Sequence, residues 1–122
     1  MNRYHLKIKE EARVEISDAY FWYEEKQSKL GERFLNSLND CFITLKSNPK
    51  IYAKKYKDMR QAILDVFPFV VIYEIERSDI VVYAVFNTHR DPKKWKKRVW
   101  DVLLKSKDPE YRYSVKERFG LY

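Results

Sequence analysis

Only two glycines, Gly31 and Gly120, occur in 122 residues. A phosphate-cradling loop needs several, because bare backbone N–H groups must close on the ligand, so P-loop and dinucleotide-binding readings fail together. Cysteine is scarcer still. The single Cys41 excludes a disulfide framework and a cysteine-based zinc cluster. His5 and His89 lie far apart in sequence and give no metal-ligand spacing. Neither a metal nor another cofactor is therefore expected. No apolar run approaches the ~20 residues of a membrane-spanning helix. The opening Met1-Asn2-Arg3-Tyr4-His5-Leu6-Lys7 has no apolar stretch of a secretion signal. The expectation is a cytoplasmic protein with no membrane partner.

What is abundant is aromatic and basic. With 45% hydrophobic and 16% aromatic residues, a chain of this length can bury one core despite 35% charged residues. The net charge of +7 is unevenly spread. Lys46, Lys50, Lys54, Lys55, Lys57 and Arg60 stand against Asp58, a net of +5 in residues 46–60. Arg90, Lys93, Lys94, Lys96, Lys97 and Arg98 stand against Asp91, again +5. If the fold brings the two segments together, they form one positive surface for a polyanion or an acidic protein. Left apart, they are two solvated lysine-rich loops.

The periodicities give an element order. Tyr4, Leu6 and Ile8 alternate with His5, Lys7 and Lys9, which fits a half-buried strand. Ala12, Ile16, Ala19, Tyr20 and Tyr23 predict an amphipathic helix over 12–28, led by Glu10 and Glu11 where a helix start favours carboxylates. Leu30-Gly31 is expected to break it. Phe34, Leu38, Cys41, Phe42 and Leu45 predict a second helix ending near Asn48-Pro49, so the pair forms an antiparallel hairpin. Runs rich in β-branched and aromatic residues predict strands at 60–66, 69–76 and 80–87 in an antiparallel meander. Asp91-Pro92 then opens a possible third helix over 92–105, with Trp95, Val99, Val102 and Leu103 at helical spacing. The class is α+β: a small twisted antiparallel sheet with the hairpin on one face and the other face left open and concave.

Five segments together resemble the RelE/ParE superfamily of bacterial toxins. They are Ile16-Ser17-Asp18-Ala19 with Trp22-Tyr23-Glu24, then Leu30-Gly31-Glu32-Arg33-Phe34, then Met59-Arg60-Gln61-Ala62-Ile63-Leu64. Phe67-Pro68-Phe69-Val70-Val71-Ile72-Tyr73-Glu74-Ile75 and Val85-Phe86-Asn87-Thr88-His89-Arg90-Asp91-Pro92 complete the set. No motif is specific alone; their order is. The likeness runs from about residue 4 to residue 98, marking 1–98 as a toxin domain and 99–122 as a C-terminal extension. It implies a type II toxin–antitoxin pair, in which an acidic antitoxin covers the basic toxin. One branch of the superfamily cleaves mRNA on the ribosome; the other poisons DNA gyrase.

Metal-free RNA cleavage needs a base for the 2′-hydroxyl, cations for the phosphorane and an acid for the leaving oxygen. In a RelE-like reading the resemblance places Arg60 and Arg90 as cations, and His89 is the natural acid or base. Lys54, Lys55 and Lys57, with Lys93, Lys94 and Lys97, would then meet the RNA or another target. Each has a plainer role: Arg60 as a strand cation paired with a carboxylate, His89 satisfying a carbonyl. Tyr73, Tyr83 and Cys41 read as packing residues, and Glu24-Glu25 as a solvated helix face. Where the RelE branch carries a tyrosine after the arginine, this chain offers Trp95, whose indole cannot act as a base. The resemblance therefore leans toward a ParE-like, non-hydrolytic inhibitor of gyrase. A ribosome-dependent endoribonuclease and a non-toxic module for nucleic acid or acidic peptide are the alternatives.

Overall fold

The computed structural model describes residues 4–56, 58–90 and 97–98. Strand β1 (His5–Ile8) turns Leu6 and Ile8 inward and His5 and Lys7 outward, as its period of two requires. Helix α1 (Glu10–Lys26) carries Glu10 and Glu11 in its first turn and buries Ala12, Ala19 and Tyr23. Helix α2 (Leu30–Ser47) buries Phe34, Leu38, Cys41, Phe42 and Leu45, the full stripe expected of it. Four strands follow: β2 (Lys54–Tyr56), β3 (Met59–Ile63), β4 (Phe69–Glu76) and β5 (Asp79–Asn87).

The turn between the helices departs from expectation. Gln27, Ser28 and Lys29 carry it, with Lys29 at φ 70°, and Leu30 and Gly31 already belong to α2. Gly31 is there for proximity. A Cβ at that position would stand 2.5 Å from the Tyr20 carbonyl oxygen, so a side chain would force the helices apart. Nor is Glu24 an idle solvated acid. Its carboxylate accepts from the N–H groups of Lys29 (3.2 Å), Gly31 (2.9 Å) and Glu32 (3.3 Å), capping a helix start that has no cap of its own.

The sheet order is β1-β5-β4-β3-β2. The meander β2 to β5 is antiparallel throughout, but β1 lies parallel to β5, so the sheet is mixed rather than wholly antiparallel. Strand β2 was not anticipated in the basic segment. β1 lies parallel to β5 because α1 carries the chain onward along β5, Glu15 reaching Val85 and Trp22 reaching Arg90, and α2 then returns it to the start of β1, where the Tyr4 N–H donates to the Lys46 carbonyl.

Register sorts the two faces. Phe69, Val71 and Tyr73 face the helices with their partners Ala62, Val82 and Val85, and Tyr23, Phe34, Phe67 and Phe69 interlock there at ring separations of 4.7–6.1 Å. The opposite face was expected to be open. It is not: Met59, Val70, Ile72, Val81, Ala84 and Phe86 are all buried. Near-continuous apolar runs are what strands buried on both faces require. The third helix over 92–105 and the extension 99–122 lie outside the described residues, except that Lys97 and Arg98 are helical.

Candidate functional site

The expected cations divide by position and by what holds them. Arg60 is half-buried on β3, and its Nη1 donates to the Tyr52 carbonyl at 2.7 Å. It clamps the segment between α2 and β2 instead of reaching outward. Its register partner Lys54 is exposed and forms an ion pair with Asp58 at 3.4 Å; Lys55 is exposed beside it on β2. Lys57, Lys93, Lys94 and Trp95 lie outside the described residues. Lys97 is exposed, whereas Arg98 turns inward.

His89 and Arg90 are exposed just past β5. Asn87 Oδ1 accepts from the backbone N–H groups of both, at 2.8 and 3.0 Å, so the chain turns sharply there. Thr88 anchors the same turn through its N–H, which donates to the Pro68 carbonyl at 2.9 Å. The Arg90 guanidinium lies 4.1 Å from the Trp22 ring centroid on α1, and Lys26 Nζ lies 4.9 Å from the same ring.

These residues do not converge. Arg60 is level with Tyr73 and Val82, four residues along β4 from Phe69, whose partner is Asn87. At ~3.3 Å per residue and ~4.8 Å per strand, the Arg60 and Asn87 backbones stand roughly 16 Å apart. Arg60 is also already engaged. The described residues of the two basic segments lie toward opposite sides of the sheet: Lys54 and Lys55 sit on β2, and Arg98 sits against β5 next to the β1 edge. Among the described residues they form no single patch.

Arg98 instead completes a small polar network. Strand β1 covers only Asp79–Val82 of β5, and the offset between Ile72–Ala84 and Tyr73–Val82 pairing leaves Tyr83 as a bulge. Beyond it, β5 exposes edge groups that need partners. Glu15 of α1 accepts the Val85 N–H at 3.0 Å, and Arg98 donates to the Tyr83 carbonyl at 2.6 Å. Arg98 also meets Glu15 through two nitrogens, at 2.7 and 3.2 Å. Burial pushes the Glu15 carboxyl above its ordinary value, more than the Val85 N–H and Arg98 pull it down.

Burial moves Tyr73 up to about 12, and it raises Tyr23, Tyr52 and Tyr83 as well. Tyr73 is held neutral by donating to the Pro49 carbonyl at 2.6 Å. A tyrosine base working near neutral pH needs the opposite shift. Among the described residues no cluster of His, Cys, Asp and Glu suits a metal ion.

A family model described as the ParE toxin of the type II toxin–antitoxin system parDE matches residues 6–92. The chain belongs to the ParE toxin family. Its fold is similar to that of a chain in the chromosomal ParDE toxin–antitoxin system from P. aeruginosa. The TM-score is 0.62 at 13% identity, over 71% of this chain and 98% of that one. It is also similar to the E. coli toxin RelE, a double arginine mutant in the free state. There the TM-score is 0.50 at 17% identity, over 83% of this chain and 99% of that one. No curated protein sequence matches. At these identities the two structures speak for the fold, and the family model carries the assignment as a type II toxin. Sequence reasoning did not bring Trp22 and Lys26 together with Arg90: their i, i+4 spacing on α1 was legible, but nothing local tied it to a residue past β5.

Proposed function

We propose that this chain is a growth inhibitor of the ParE kind that acts in the cytoplasm by binding DNA gyrase, without hydrolysing RNA, and is neutralised by an acidic antitoxin. The match to the ParE family over residues 6–92 carries this reading. Geometry supports the non-hydrolytic mode: Arg60 is spent on the Tyr52 carbonyl and stands far from His89 and Arg90. A phosphorane would need cations and an acid at one point. The net charge of +7 favours an acidic partner. No helix among the described residues is long and apolar enough to cross a membrane.

The test is controlled expression in a bacterial host, with labelled thymidine and labelled amino acids followed over the first minutes. Thymidine incorporation falls first if gyrase is the target, and purified protein then blocks supercoiling by gyrase. Amino-acid incorporation falling first, with cuts in ribosome-bound mRNA, overturns the reading in favour of the nuclease. His89→Ala would then abolish the cuts. Unchanged growth would leave a binding module.

A further inference from the structure

Two like charges converge on Trp22. Lys26 reaches the ring from one helical turn away on α1, whereas Arg90 arrives from the far end of the meander. Arg90 is fixed twice, through its backbone by Asn87 Oδ1 and through its guanidinium by the indole. Both cations are exposed. Among the described residues no carboxylate lies within ion-pair distance of either one. Holding two positive side chains at one ring costs repulsion and rotamer freedom, and an incoming anion relieves the first while the second is already spent.

We propose that Arg90, Trp22 and Lys26 form a receiving site for carboxylate side chains of an acidic peptide segment on a protein partner. The proposal rests on the reading of the chain as a toxin neutralised by an acidic antitoxin, and it adds where the acid lands. A guanidinium held 4.1 Å from the ring centroid offers a fork that matches a carboxylate, with Lys26 as a second charge beside it. Nucleic acid fits less well. Single strands bind by stacking bases on aromatic faces, and here Arg90 already lies over the Trp22 ring.

The experiment is a titration of the full-length, nitrogen-15-labelled protein, following the tryptophan indole N–H and arginine Nε–H resonances. Trp22→Phe and Arg90→Gln assign the two signals. The probes are a capped peptide of alternating glutamate and leucine and a single-stranded oligouridine of equal charge. The peptide is expected to move the Trp22 and Arg90 signals. Arg90→Gln and Lys26→Gln should each weaken peptide binding by roughly three- to fivefold. Arg33→Gln, an equal charge loss on exposed α2 surface, should leave it unchanged within error. Equal weakening by Arg33→Gln, or a peptide that leaves Trp22 unmoved, overturns the site. So does oligouridine moving both signals as strongly as the peptide, which would make it a phosphate site. Growth arrest by the wild type alongside unweakened variants defeats this inference alone; absence of growth arrest defeats the toxin reading.

Discussion

Replacing Gly31 with alanine sets two physical effects against each other. In a free helix the change favours alanine by about 1 kcal/mol, since glycine loses more backbone freedom on folding. In this hairpin the new Cβ meets the Tyr20 carbonyl oxygen at 2.5 Å, the Glu24 Cγ at 2.7 Å and the Tyr20 Cδ1 at 2.8 Å. The carbonyl is helix backbone and has no rotamer to escape into, so α1 and α2 must separate. Overpacking of this sort costs about 1–3 kcal/mol. Shifting Glu24 also loosens its cap over three α2 N–H groups, worth about 1 kcal/mol more. The net is a loss of about 1–3 kcal/mol. At an m-value of about 1–3 kcal/mol/M, the urea midpoint read by far-ultraviolet circular dichroism should fall by roughly 1 M. A variant that unfolds at or above the wild-type midpoint would refute the close-approach account and leave helix propensity as the governing term.

Glu15 supplies a pH prediction with an unusual sign. Because burial holds its carboxyl above the ordinary 4.5, the folded state keeps a proton that the unfolded chain releases. Its contribution is complete below the unfolded value and is lost as pH rises through the folded one. Stability of the wild type relative to Glu15→Gln should therefore decline over that window, and a gap that grows in the wild type's favour would contradict it. Tyr73→Phe leaves the Pro49 carbonyl without its buried donor, and a loss of about 1–2 kcal/mol is expected in urea unfolding. Arg60→Ala should destabilise the fold by about 1–2 kcal/mol through the Tyr52 carbonyl; full stability with lost toxicity would instead make Arg60 a target-contacting residue. The Cys41 thiol, pushed up to about 11 by burial, should resist thiol reagents at pH 8 until the protein unfolds.

The helices and the long strands were legible because their signals are periodic and local. Phe34, Leu38, Cys41, Phe42 and Leu45 announce α2, and the branched runs announce β4 and β5. Strand β2 was missed because its three residues are too few to show an alternation, and their lysines read as loop. The parallel seat of β1 beside β5 was hidden for another reason, since it depends on α1 and α2 carrying the chain along β5 and back, which no local pattern shows. The buried second face was legible after all, since Phe69–Ile75 and Ile80–Phe86 lack the polar alternation of a half-solvated strand. Gly31 was misplaced for a different reason. A glycine that ends a helix and one that admits a neighbouring helix look the same in sequence, and only the Tyr20 carbonyl tells them apart.

The candidate site was less legible because formal charge does not say where a charge is spent. Arg60 and Arg98 come from the two most basic stretches of the chain, yet the fold turns both inward, one onto the Tyr52 carbonyl and the other onto Glu15 and Tyr83. Each closes backbone groups that strand pairing leaves open. Arg90, from the same stretch as Arg98, is held outward on Trp22 instead. The difference lies in what stands opposite each residue, a carbonyl or an indole, and that pairing is set by strands and helices far apart in sequence. Any test of function by charge removal must therefore separate the two classes. Neutralising Arg60 or Arg98 perturbs the sheet before it perturbs a partner, whereas neutralising the Arg90 or Lys26 side chain leaves the backbone bonds intact and so tests the proposed recognition without that confusion.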